Sequence, residues 1–167
     1  MESRVKLLGH PVHPILIPFP LGLLITSFVF DIIYLVSHNP IFWVVAFWMI
    51  AAGVIGGLLA AVPGLIDWLA IPHGTRARSI GLWHLASNVV AIVLFAVSWL
   101  LRAGGPGAIA IILSLIGVVL LGLGGWLGGE LVGRMGVGVH EGAYLNSPSS
   151  LSGRPASEGK TEVQREG

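Results

Sequence analysis

Two histidines stand three residues apart in the stretch HPVHP, His10 and His13, and a third, His84, lies four residues before Asn88 in GLWHLASN. An aspartate, Asp67, sits in GLIDW, and Glu130 and Arg134 close the run GGELVGR. Imidazole and carboxylate are ligands for transition ions. Three chemistries suit this set. His13 and His84 could be the axial pair of a b-type haem iron. His10, His13, Asp67 and His84 could hold zinc, iron or manganese, and an open position on such an ion would permit hydrolysis. The same groups could relay protons or line a substrate path. Asn88 shares a helical face with His84 and could fix its tautomer, with Glu130 and Arg134 beside the set. Plainer roles compete. Pro14 suits the first position of a helix, so His13 could be its cap, and Asp67 could pair with Arg76 or Arg78. The chain has no cysteine, which removes thiolate nucleophiles, iron–sulfur clusters and cysteine zinc sites.

These residues are held by long apolar blocks. Hydrophobic residues make up 54% of the chain and charged residues 10%, well under the roughly 25% of a soluble domain. A helix of roughly 20 apolar residues crosses a bilayer. Four stretches reach that length, at about 15–36, 41–62, 82–101 and 108–127. None shows the polar stripe of a soluble core helix. The first is too long for a signal-peptide core and no small-residue cleavage site follows it, so it reads as retained. Ser37-His38-Asn39-Pro40 and Ala103-Gly104-Gly105-Pro106 are short breaks that allow tight reversal. A longer polar segment, 63–81, links the two hairpins. The class predicted is all-α, an integral-membrane antiparallel four-helix bundle over residues 1–145. The tail, 146–167, is rich in Ser, Pro, Gly, Lys and Glu and is read as disordered.

Arg4, Lys6, Arg76, Arg78 and Arg134 fall on one side of these spans, and Arg102 stands alone on the other. The excess of positive charge predicts that both termini face the cytoplasm. An even number of crossings then brings His10, His13, Asp67, His84 and Glu130 to that same face. A net charge of +1 offers no basic patch for phosphates, so nucleic acid is excluded as a partner.

Asp31 falls near the outer end of the first span and Arg102 at the outer end of the third, which predicts an ion pair between helices. Gly53 and Gly57, and the pairs Gly124/Gly128, Gly125/Gly129 and Gly129/Gly133, have the spacing that lets helices approach closely in lipid. They read as packing seams within the monomer or in a homodimer. The run GLGGWLGG follows no strand and is no dinucleotide fingerprint.

The segments HPVHPILIPFPLGLL, GLIDWLAIPHGTRARSIGLWHLASN and GGWLGGELVGRMGVGVHEGAYLNSPSSL together resemble the bacterial membrane family called domain of unknown function 2231, over residues 8–152. The resemblance implies a four-helix inner-membrane protein with no assigned reaction. It implies recurrent polar positions at His10, His13, Asp67, His84 and Glu130, and occasional Rieske-type or other redox partner proteins. The architecture is also similar to small membrane cytochromes that carry haem between helices. His73 and His140 depart from the family pattern and are set aside as ligands. The reading is therefore a haem- or metal-binding, redox-associated module. A small transporter or proton-relay component, or a structural subunit of a membrane complex, is the alternative.

Overall fold

The computed structural model describes residues 1–160. A short hairpin opens the chain, with β1 (Lys6–Leu7) antiparallel to β2 (His10–Pro11). Its two turn residues, Leu8 and Gly9, both have positive φ, at 50° and 83°. That is the backbone twist a two-residue hairpin requires.

Helix α1 (Val12–Leu16) follows directly and leads through Ile17 into α2 (Pro18–Ser37). Ile17 itself is helical, so the chain does not turn there. The interruption is one of hydrogen bonding. Pro18 and Pro20 carry no N–H for the rungs back to Pro14 and Leu16. Helix α2 stops at His38, whose φ of 56° is left-handed.

Helix α3 (Pro40–Leu69) starts with Asn39 as its cap, where Oδ1 accepts the Ile41 N–H at 3.0 Å. Helix α4 (Arg76–Arg102) starts with Thr75, which accepts the Arg78 N–H at 3.2 Å. Helix α5 (Ala108–Gly129) passes into one π-helical turn, Glu130–Arg134. Four helical stretches, Val12–Ser37, Pro40–Leu69, Arg76–Arg102 and Ala108–Arg134, are long and apolar enough to cross a membrane.

Each runs past the limits that hydropathy alone assigns. The largest difference is at α3, which continues through Pro63 to Leu69, so that only 70–75 is left as the connection to α4. Polar ends such as 63–69 still form helix, because helix formation needs only propensity and capping. The Arg78 guanidinium finishes α3 by donating from Nη1 to the carbonyls of Trp68, Leu69 and Ile71, at 2.8–3.0 Å. It also lies over the Trp68 ring, 4.1 Å from the centroid.

The core is thin, as four helices in lipid require. Leu24, Ile50, Val54, Ala91, Phe95 and Leu121 fill its middle. Glycines let the helices close on it. A Cβ at Gly53 would fall 2.6 Å from Leu24, at Gly57 2.5 Å from Ile92, and at Gly117 2.7 Å from Phe95. The outside is apolar: Trp48, Val119 and Trp126 are about 65% exposed. Large apolar side chains around the whole circumference belong against acyl chains.

Residues 146–160 include a 3₁₀ turn, Ser150–Ser152, whose Ser150 meets the hairpin. The last part of the tail predicted to be disordered, 161–167, lies outside the described residues.

Candidate functional site

His13 and His84 come together at the end of the bundle that carries both termini. Their ring centroids are 6.2 Å apart and the planes are nearly perpendicular, at 85°. Both residues are half-buried. His13 is carried by α1, which packs on α3. Its Nδ1 lies 2.7 Å from the main-chain oxygen of Ala60. Pro63 has no N–H for the carbonyl of Leu59 and crowds that turn of α3, next to the Ala60 oxygen. Gly64 leaves the ring its place: a Cβ there would stand 2.6 Å from His13 Cε1.

His84 repeats the arrangement on the other hairpin. Its Nδ1 lies 2.8 Å from the main-chain oxygen of Gly124 on α5. A Cβ at Gly128 would stand 3.2 Å from His84 Cε1, and one at Gly124 would meet the Asn88 amide at 2.6 Å. A carbonyl only accepts, so each Nδ1 must carry a proton. In the neutral ring the lone pair is then on Nε2. The same carbonyl bond also fixes how each ring is turned.

The other expected residues lie around this pair in different roles. Asn88 Nδ2 donates to the main-chain oxygen of His84 itself at 2.7 Å and lies 3.4 and 3.5 Å from the two ring nitrogens, so the firm bond that fixes the tautomer is the one from Nδ1–H to Gly124. Asp67 takes neither Arg76 nor Arg78. Its carboxylate accepts Ser3 Oγ–H and the Arg4 N–H, both at 2.6 Å, and so ties the N-terminus to α3. His10 is exposed, with Nε2 3.1 Å from Ser150 Oγ. Glu130 accepts from Arg76 at 3.2 Å, joining the π turn to the start of α4. Arg134 is exposed and His73 lies in the α3–α4 connection. His13 is not a helix cap: α1 has no side-chain cap bond, and the ring is turned to Ala60. Among the described residues no group of three or more His, Asp or Glu is close enough to hold a metal ion. A four-ligand ion site from His10, His13, Asp67 and His84 is therefore not assembled in this arrangement.

Sequence reasoning missed Ser3, Ala60 and Gly64. The first acts through a hydroxyl in a loop, the second through a main-chain oxygen and the third through the absence of a side chain. Only Pro63, next to Gly64 in an apolar stretch, marks the place.

A second polar cluster occupies the opposite end of the bundle. Arg102 donates to both carboxylate oxygens of Asp31, at 2.7 and 2.6 Å, and to Ser98 and Ser114 at 3.3 and 3.1 Å. Its guanidinium lies 4.3 Å from the Trp43 ring centroid. With Ser98 also donating to the Ala110 carbonyl at 2.7 Å, the charges are matched and hydrogen-bonded within apolar surroundings. This is an ion pair that joins α2 to α4, with α3 and α5 held through Trp43 and Ser114.

No curated protein and no solved structure gives a significant match to this chain. A family model described as "Predicted membrane protein (DUF2231)" matches residues 9–141, a stretch that takes in all four helical spans, the histidine pair and the Asp31–Arg102 cluster. The chain is a multi-pass helical membrane protein and belongs to the DUF2231 family.

Proposed function

We infer that this protein is a membrane redox module in which Nε2 of His13 and Nε2 of His84 would hold the iron of a b-type haem. The observation that carries this reading is the symmetry of the pair. Each ring gives Nδ1–H to a main-chain carbonyl, at 2.7 and 2.8 Å, and each is left with its other nitrogen as a donor of electrons. Ligating histidines are oriented in this way as a rule. Two imidazoles on one ion, with metal–nitrogen bonds of roughly 2 Å, bring their ring centres to about 5–6.5 Å. The separation here is 6.2 Å.

The choice of haem over a bare ion follows from the number of ligands. A protein-only site for zinc usually takes four ligands, or three and a water. Asp67 and His10 are engaged with Ser3, Arg4 and Ser150 and would have to leave them. Haem needs only two ligands from protein, and when bound it supplies a one-electron couple. Residues of this chain orient those ligands: Ala60 and Gly124 hold the rings, while Gly64 and Gly128 give them space. The excess of Arg and Lys near the termini supports a cytoplasmic position for the site in a bacterial inner membrane. A one-electron module there would serve a redox partner protein.

The test is a visible spectrum of detergent-purified protein, expressed with ample haem precursor, before and after dithionite. A Soret band that sharpens on reduction, with the paired bands of low-spin haem, supports the reading. Loss of those bands in both His13→Ala and His84→Ala assigns the ligands. A spectrum without bands rejects haem. Elemental analysis would then separate a colourless ion from a proton-relay or structural role.

A further inference from the structure

The C-terminal segment after α5 returns over the N-terminal hairpin. The Met1 amino group donates to the Gly136 oxygen at 3.1 Å, and Gly138 N–H donates to the Met1 oxygen at 2.9 Å. The Glu141 N–H donates to the Glu2 carboxylate at 3.2 Å. Gly9 allows the closest approach, since a Cβ there would stand 2.9 Å from that of Ser150.

His140 sits in the middle of these contacts. Its Nε2 is 2.9 Å from the main-chain oxygen of Gly9. Its Nδ1 is 3.4 Å from Oε1 of Glu2. Both neighbours are acceptors. A neutral imidazole has one N–H and satisfies one of them, leaving a lone pair against the other oxygen. The imidazolium donates from Nε2 to Gly9 and sets its positive charge beside the Glu2 carboxylate. We propose that His140 is a proton-operated latch: its charged form fastens the C-terminal strap to the N-terminal hairpin, and loss of the proton slackens it.

The other charged groups at this place support that direction. Glu2 is exposed, and the pKa of its carboxyl is lowered to about 2, first by the hydrogen bond from Lys6 and then by that from Glu141 N–H. It therefore stands as a fixed anion beside His140. Glu141 and Arg154 line the same open cavity of about 680 Å³ beside His140. Arg154 turns its guanidinium to Glu158, at 3.3 Å. His10 faces Ser150, whose hydroxyl can donate or accept, so that contact survives either charge state of His10. The hairpin strand His10–Pro11 runs straight into α1 and hence into His13. The latch therefore acts on the strand that leads into the turn carrying His13. It needs no cofactor, so it stands or falls separately from haem ligation.

The absence of native cysteine allows clean labelling. Spin labels at Leu7→Cys and Leu151→Cys, both exposed sites, would report the hairpin-to-strap distance in the full chain in lipid nanodiscs. Measured by electron–electron double resonance, the distance should be single and narrow at about pH 5.5 and gain a longer, broader population at about pH 8.5, across the imidazole range. In a His140→Gln background the two distributions should coincide, and in His10→Gln the transition should persist. An unchanged wild-type distribution would overturn the proposal. So would a transition that survives in His140→Gln or disappears in His10→Gln.

Discussion

The guanidinium of Arg102 lies fork-to-fork on the carboxylate of Asp31, at 2.7 and 2.6 Å, with neither side chain exposed. Such a pair is worth most when both partners are present. Removing one leaves the other as an uncompensated charge, at a cost of about 3–5 kcal/mol. Arg102→Met and Asp31→Leu should each lower stability by that order in mixed-micelle unfolding. The double variant should lose clearly less than the sum of the two. Additive losses would mean that the two side chains act independently.

Gly64→Ala should displace the His13 ring, because the new methyl would fall 2.6 Å from Cε1. Overpacking of this kind costs about 1–3 kcal/mol. In haem-loaded protein it should also diminish the low-spin bands while leaving the helix content intact. Gly122, with nothing within 4 Å and outside the small-residue pairs, is the matched control. Gly122→Ala should be neutral or slightly stabilising in both measurements, through helix propensity alone.

Arg78→Ala should fray the end of α3. Three main-chain carbonyls lose a charged donor, and Trp68 loses the cation on its face. Hydrogen bonds from a charged group are worth about 1.5–3 kcal/mol. Hydrogen exchange should accelerate at Ala70 and Ile71, whose N–H groups close that turn, and remain slow in the middle of α3. Uniform protection along α3 in the variant would refute the capping role.

The contact between Glu2 and Glu141 N–H should outlast mild acid. Lys6 above all, then the Glu141 amide, lower the Glu2 carboxyl from 4.5 to about 2. A lowered folded-state value means that the contribution is complete above the ordinary 4.5 and is lost as the pH falls through about 2. The exchange rate of the Glu141 amide, corrected for intrinsic chemistry, should therefore show protection at about pH 4 in wild type and none in Glu2→Ala, which has no acceptor there. Equal protection in the two proteins would separate Glu2 from the strap.

Much of the architecture could be read from the chain because the bilayer imposes a length. Four apolar blocks and the parity of their crossings were enough to bring His13 towards His84 and Asp31 towards Arg102. What escaped was set by groups without a sequence signature. Asp67 seemed matched to the arginines nearby in sequence, yet it is tied to Ser3 and Arg4 from the other end of the chain. The oxygens of Ala60 and Gly124, which hold the two rings, belong to residues with no polar side chain. Helix α3 ends at Leu69 because a guanidinium caps it, a contact that no hydropathy window detects. His140, set aside as a ligand, is brought to Gly9 and Glu2 by a strap with no regular periodicity.

The missing rungs at Pro18 and Pro20 have a mechanical consequence. They lie between the turn that carries His13 and the length of α2 that meets lipid. A bilayer thicker or thinner than the span is accommodated by tilt. The turn around Pro18 and Pro20 keeps the bonds from Ile17 N–H to His13 and from Leu21 N–H to Ile17 but is short of two rungs, which makes it the softest place for the helix to bend, while the turn below it is fastened to α3 through Ala60. The His13 ring is thus held by a turn fastened to α3 and not by the length of α2 that meets lipid.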